Sequence, residues 1–265
     1  MRLTGERPMA GATPDSLLAF HDAGYREMVA RLGPGTVLDI GCGVGNETAR
    51  LASSDRFVLG VDYDADTAVA ASADWGPGLR DGVGVHFAGM DGARLGLRGR
   101  CVDWACSSHI IEHFTAPELH VAAVARVLTD SGTAFVVTPN RPADFENPFH
   151  VYLFEPRELE SLLKLFFRDV EVWGLEGSDE LKADFAARRA RGEKILKLDV
   201  LGLRHRMPRR WYVWSYERAL PLVYRALGSR GSGIGSGLDD SHFFMAPEIV
   251  DTTPGLFAVA RGPRR

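Results

Sequence analysis

Residues 37–46 read VLDIGCGVGN. An apolar run, an acid near its end and three glycines at alternate positions describe a buried strand that turns sharply into a helix. Glycine keeps such a turn tight and lets a ligand approach the backbone. The carboxyl edge of a strand like this is where open α/β sheets bind ligands, and the helix start that follows offers amide N–H groups. The acid narrows the ligand. Dinucleotide loops run G-x-G-x-x-G and hold a pyrophosphate. Here Gly41, Gly43 and Gly45 run G-x-G-x-G, and Asp39 stands two residues before the first. A carboxylate there repels a pyrophosphate and suits the ammonium of an amino-acid ligand.

Outward from this loop, short apolar runs alternate with helical periodicity. Strands are predicted at 36–40, 57–61, 85–88, 102–106, 133–138 and 170–173. Helices are predicted at 15–32, 47–53, 64–73, 117–128 and 156–167. Strand–helix alternation implies a mostly parallel sheet covered on both faces. The stretch 177–253 breaks the pattern. It holds predicted helices at 179–198 and 211–227, a basic aromatic cluster from Arg204 to Trp214, and a glycine-serine loop at 228–237. A last apolar run at 255–260 reads as a strand returning to the sheet. The division is therefore an N-terminal lid and helix (1–35), a core (36–176), a helical insertion or cap (177–253) and a final core strand with tail (254–265).

Composition sets the outer bounds. The 265 residues are 45% hydrophobic and 25% charged, with a formal net charge of -4. These are ordinary globular values. Nothing in them provides the basic face that nucleic acid requires, so no nucleic-acid partner is expected. An odd number of cysteines, Cys42, Cys101 and Cys106, fits no zinc spacing and predicts a reduced compartment. No apolar run reaches the ~18 residues of a membrane span, and residues 1–9 lack the apolar core of a signal peptide. The expectation is a cytoplasmic monomer or homodimer.

Four further segments complete a resemblance. Gly60-Val61-Asp62 ends the second strand, Ala88-Gly89-Met90-Asp91 follows the third, residues 103–113 (DWACSSHIIEH) cover the fourth and its loop, and Arg126-Val127-Leu128 with Gly132 precedes the fifth. In this order and spacing the chain resembles the class I methyltransferases that use S-adenosylmethionine (SAM). The resemblance implies a three-layer, doubly wound Rossmann-like sheet with a reversed last strand and SAM as cofactor. It places Asp39, Gly41, Cys42, Gly43 and Gly45 at the amino-acid end of SAM, Asp62 and Tyr63 at the ribose, and Met90, Asp91 and Gly92 at the adenine. Ser107 lies at the edge of the same site. A narrower likeness, carried by 3–7 (LTGER), 138–140 (TPN) and 147–150 (NPFH), is to an actinobacterial branch that includes methylmannose polysaccharide O-methyltransferases.

The loops after strands four and five both bring histidines to the carboxyl edge. His150 is the first candidate for a general base and His113 the second, since taking a hydroxyl proton as the methyl moves helps by about 10²–10⁴-fold. Glu112, His113 and His150 are alternatively ligands of a divalent cation, Mg²⁺ being the simplest; the plain alternative is a Glu–His pair that only fixes the loop. Arg204 to Trp214 either grips an anionic or sugar-bearing acceptor or plugs the cap onto the core. Glu6 and Arg7 belong to the expected lid, and Asp239, Asp240, His242, Phe243 and Phe244 are candidates to line the pocket. The function expected is O-methylation of a small polar acceptor, a sugar, a glycolipid precursor or a natural product. Methylation of a quinone or aromatic ring, and a SAM-binding regulator without turnover, stay open beside it.

Overall fold

The computed structural model describes residues 13–76, 84–144, 149–196 and 237–265. Its element order is α1 (Asp15–Val29), β1 (Gly35–Ile40), α2 (Asn46–Arg50), β2 (Arg56–Asp62), α3 (Ala65–Trp75), β3 (Val85–Gly89), β4 (Val102–Ser108), α4 (Pro117–Val127), β5 (Leu128–Pro139), α5 (Pro156–Lys164), β6 (Phe167–Gly177), α6 (Asp179–Leu196), β7 (Phe243–Ala246) and β8 (Gly255–Pro263). The strands form one sheet in the order β3-β2-β1-β4-β5-β8-β6-β7. Strands β1 to β5 pair in parallel, and β8 runs antiparallel to both β5 and β6. The reversed last strand is thus as expected.

Several elements depart from the reading of the sequence; the fifth strand begins at Leu128 and not at 133. The sixth strand runs well beyond 170–173, because Arg168, Asp169, Glu171 and Glu176 interrupt its apolar signal. Strand β7, on residues expected to line the pocket, is a short edge strand paired antiparallel to β6. Its four residues are too few to show a period. The predicted helix at 211–227, most of the loop at 228–237, the basic aromatic cluster, the lid residues Glu6 and Arg7, and Asn147-Pro148 lie outside the described residues.

Alternation along the strands sorts the core into two layers. Val37, Val58, Cys106, Phe135, Val137, Phe257 and Val259 face α1, where Phe20, Ala23 and Met28 meet them. Leu38, Ile40, Val61, Ala105, Ala134, Val136 and Ala258 face α4 and α5, against Val121, Val124, Leu159 and Leu163. Fully buried leucines and phenylalanines of this kind contribute about 1.5–3 kcal/mol each. The same period fixes the polar residues: Asp39 shares the α1 face with Val37, while Ser107 shares the α4 face with Ala105. Five parallel strands bring their carboxyl ends, from Ile40 to Pro139, to one edge.

Candidate active site

The glycine loop leaves β1 through three left-handed residues, Gly41, Gly43 and Gly45. Gly45, at φ +84, is closed in from above: a Cβ there would stand 2.8 Å from the Phe87 ring. Gly43, at φ +52, would meet nothing within 4 Å. Of the three, then, one turn position combines a glycine-only backbone with open space beside it, which is the cradle a ligand's backbone contact needs. Below the loop, the carboxylate of Asp39 is fully buried. Tyr25 Oη donates to its Oδ1 at 2.9 Å and Thr48 Oγ1 to its Oδ2 at 2.6 Å. Burial pushes this acid up to about 6, against the two hydroxyl donors that hold it down.

Asp62 closes the loop from the next strand. Its Oδ2 accepts the Gly43 N–H at 3.0 Å and its Oδ1 the Asp64 N–H at 2.9 Å. Its own carbonyl accepts from Met90 N at 2.8 Å, which ties the ends of β2 and β3. Asp91 turns back on Ala93, whose N–H it accepts at 2.9 Å. Cys42 is buried in the loop, whereas Tyr63 is 82% exposed beside it. The residues assigned to amino acid, ribose and adenine therefore line one edge in chain order, and they fit SAM: an open glycine cradle, an acid behind it, and a second acid at the adjoining strand end.

Ser107 turns away from that edge. It is buried on the α4 face, where its hydroxyl lies 2.9 Å from His120 Nε2. His120 Nδ1 lies 2.9 Å from the Gly92 carbonyl. Since a carbonyl only accepts, Nδ1 carries the proton and the Ser107 hydroxyl donates to Nε2. Phe114 stacks on the ring at 4.7 Å. Burial pushes His120 down to about 4, so it is neutral at physiological pH. The chain thus fixes the segment after β3 from behind through a residue that the sequence did not single out.

The loops after β4 and β5 meet. The His113 and His150 rings are 5.4 Å apart, and the Glu112 carbonyl accepts from Val151 N and Tyr152 N at 2.8 and 3.0 Å. His150 Nδ1 lies 2.8 Å from Asp144 Oδ2. Glu112 is fully buried; Thr138 Oγ1 donates to its Oε2 at 3.0 Å. Burial opposes its ionisation, but the approach of His109 and the neighbouring His113 and His150 outweigh that and hold the acid at about 2. Burial, with the other histidines, lowers His113. His21 of α1 joins the group through a ring contact of 4.1 Å with His109, and burial lowers it well below the usual range.

Ligand atoms of Glu112, His113 and His150 lie within 4.8 Å of one another. The fit to a cation is poor. His113 Nδ1 faces the Phe149 carbonyl at 3.2 Å and Nε2 the His109 carbonyl at 3.1 Å. The neutral ring donates from one nitrogen only, and a cation on the other would have to displace a backbone carbonyl. Two nitrogens among three donors also suit Mg²⁺ badly, since it prefers oxygen. No step below runs through a metal.

Sequence reading missed Tyr25, Thr48, His120 and His21, and placed His109 in the loop after the fourth strand without nominating it as the base. The first three are cross-element partners with no local pattern. For His109 a signal existed: it is the first residue past β4, at the edge where such sheets place chemistry.

A doubly wound sheet in this order, with the reversed strand beside the fifth and the glycine loop after the first, is that of the Rossmann-like methyltransferases. A methyltransferase domain model matches residues 38–136. A probable S-adenosylmethionine-dependent methyltransferase of Mycobacterium tuberculosis is 34% identical over 209 residues, 76% of this chain and 73% of that protein. A ubiquinone biosynthesis O-methyltransferase of Rhizobium etli is 30% identical over 105 residues, 40% of this chain and 41% of its own. In structure, a SAM-dependent methyltransferase of Thermotoga maritima superposes with a TM-score of 0.58 at 14% identity, covering 93% of this chain and 91% of its own. The [4+2]-cyclase SpnF follows at 0.54 and 17%, covering 91% and 80%. The chain belongs to the SAM-dependent methyltransferases. Among the described residues no helix is long and apolar enough to cross a membrane.

Proposed function

We propose that this methyltransferase methylates an oxygen of a small polar acceptor, a sugar, a glycolipid precursor or a related natural product. The observation that carries the reading is the buried cluster of Glu112 with His109, His113 and His150 at the ends of β4 and β5. A hydroxyl acceptor must lose its proton as it is methylated, and imidazoles beside a buried carboxylate supply the sink. SAM supplies a methyl on a sulfonium that is already a good leaving group, so the chain's work is to position and to exclude water. Asp39 and the loop of Gly41, Cys42, Gly43 and Gly45 hold the amino-acid end, Asp62 with Tyr63 the ribose, and Met90, Asp91 and Gly92 the adenine. His150, oriented by Asp144, and His113 border the acceptor. The likeness to the ubiquinone pathway enzyme favours a second reading, a phenolic or quinol hydroxyl as acceptor.

Calorimetric titration of SAM into the purified chain, beside Asp62→Ala, tests the donor site. Release of S-adenosylhomocysteine over a panel of glycosides and catechols then tests the acceptor class. Micromolar binding lost in the variant, with turnover of a hydroxyl compound, supports the proposal. Folded protein that binds no SAM defeats it. Tight binding without turnover on any acceptor points to a regulator.

A further inference from the structure

We infer that His109, oriented by Glu112, is the catalytic residue that takes the acceptor's hydroxyl proton. The inference rests on the O-methylation reading above, and three features of geometry carry it.

The first is backbone. Among the described residues only Arg100 and His109 are non-glycine residues at positive φ, His109 at +52. Left-handed backbone costs a residue with a Cβ energy, and such outliers gather where a side chain must be aimed. His109 sits between the end of β4 and the 3-10 turn Ile111–His113, so the conformation swings its ring out of the strand's alternation and under α1.

The second is the ring's surroundings. Phe20 meets it edge-on at 4.5 Å and His21 at 4.1 Å. The side chain is 8% exposed, and its Nδ1 lies 3.6 Å from Glu112 Oε1. Thr138 on the other carboxylate oxygen fixes the direction of Glu112. A proton on Nδ1 aimed at the carboxylate leaves the lone pair on Nε2, the arrangement that makes an imidazole a base. At 3.6 Å the contact is long, as such contacts often are before substrate draws them in.

The third is vacancy. His109 Nε2 is buried without a hydrogen-bond partner, and Glu112 Oε1 has only the long approach of His109 Nδ1. A buried lone pair left unpaired at Nε2 is costly, and the reaction gives it a use. The other rings of the site are committed: His113 to two carbonyls, His120 to Ser107 and Gly92, and His150 Nδ1 to Asp144. The charged and titratable neighbours are His21 from α1, Glu112 and His113 from the turn, and His150 from the loop after β5. For the acceptor to reach Nε2, the Phe20 and His21 side chains must give way.

In the step, the acceptor oxygen forms a bond to the methyl carbon. The carbon–sulfur bond breaks and its electron pair stays on sulfur, leaving S-adenosylhomocysteine. The hydroxyl proton passes to His109 Nε2, and Glu112 compensates the imidazolium through Nδ1.

Two measurements on the full chain test this. With ¹⁵N-labelled histidine, the His109 ring is expected as the Nδ1–H tautomer with a bare Nε2, and Glu112→Gln is expected to mix the tautomers. A protonated Nε2 in wild type overturns the proposal whether or not an acceptor is in hand. For an acceptor that turns over, His109→Asn, whose residue tolerates left-handed backbone, is expected to lower kcat by about 10²–10⁴-fold with SAM affinity unchanged. Added imidazole is expected to restore part of the loss in His109→Gly, which no merely structural role would give. Wild-type kcat in a folded His109→Asn protein, or no rescue, defeats the inference. Loss of SAM binding in wild type instead defeats the donor reading and leaves the tautomer result to stand alone.

Discussion

Tyr25 Oη lies 2.9 Å from Asp39 Oδ1, so a helix ahead of the core holds the acid of the glycine loop. Both partners are buried, and burial raises the phenol well above its usual range as it raises the carboxylate. Tyr25→Phe removes one of two donors from a buried acid. The expected cost is about 1–3 kcal/mol of unfolding free energy at pH 7.5, together with weaker SAM binding. Urea titration and calorimetry read the two effects. A variant as stable as wild type would show that the bond does not hold the loop.

Asp39 also sets a pH dependence. Its folded value, about 6, lies above the usual 3.8, so the folded chain holds this proton more tightly than the unfolded chain does. Stability from this group is therefore greatest below pH 4 and declines as pH rises to 6, by roughly 3 kcal/mol at most. Asp39→Asn should gain on wild type across that window. SAM's ammonium reverses the preference, so wild-type affinity should weaken as pH falls through 6. Affinity flat from pH 5 to 8 would remove Asp39 from the binding of charge.

His120 works in the other direction. Its folded value, about 4, lies below the usual 6.5. The stability it lends is complete above pH 6.5 and is lost as pH falls toward 4. Ser107→Ala takes the donor from its Nε2 and should weaken SAM binding about 10-fold by loosening Gly92. Ser107→Thr, which keeps the hydroxyl, should largely restore it. Equal affinity in all three proteins would mean that the adenine segment needs no support from behind.

Chelation should do nothing. With both His113 nitrogens at backbone carbonyls, dialysis against EDTA is expected to leave SAM affinity and melting temperature unchanged. Adding Mg²⁺ should then have no effect either. A melting temperature that rises on adding a divalent cation, and loses the rise in Glu112→Gln, would restore the metal reading.

The glycine loop, Asp62 and the ends of β3 and β4 were legible because each is a local pattern: an apolar run, a breaker and an acid within a few residues. The reversed β8 followed from resemblance and not from periodicity. What the sequence hid depends on which way a side chain points. Ser107 and Ser108 are neighbours of one type, yet alternation sends Ser107 to His120 and Ser108 toward Gly24 of α1. Choosing between them needs the strand's register, which no single segment carries. His109 was legible as a residue of this edge, but its direction was not, since its left-handed backbone breaks the strand's alternation.

Gly177, the last residue of β6, is the ladder partner of Phe243, the first of β7, and Ser178 N bonds the His242 carbonyl at 2.8 Å. The chain thus leaves the sheet and re-enters it on one rung, at the edge that carries the loops. The closure entropy of the stretch between grows only slowly with its length, while α6 at its start anchors Leu181 in the core. A change of length in that stretch leaves untouched the ladder that fixes its two ends.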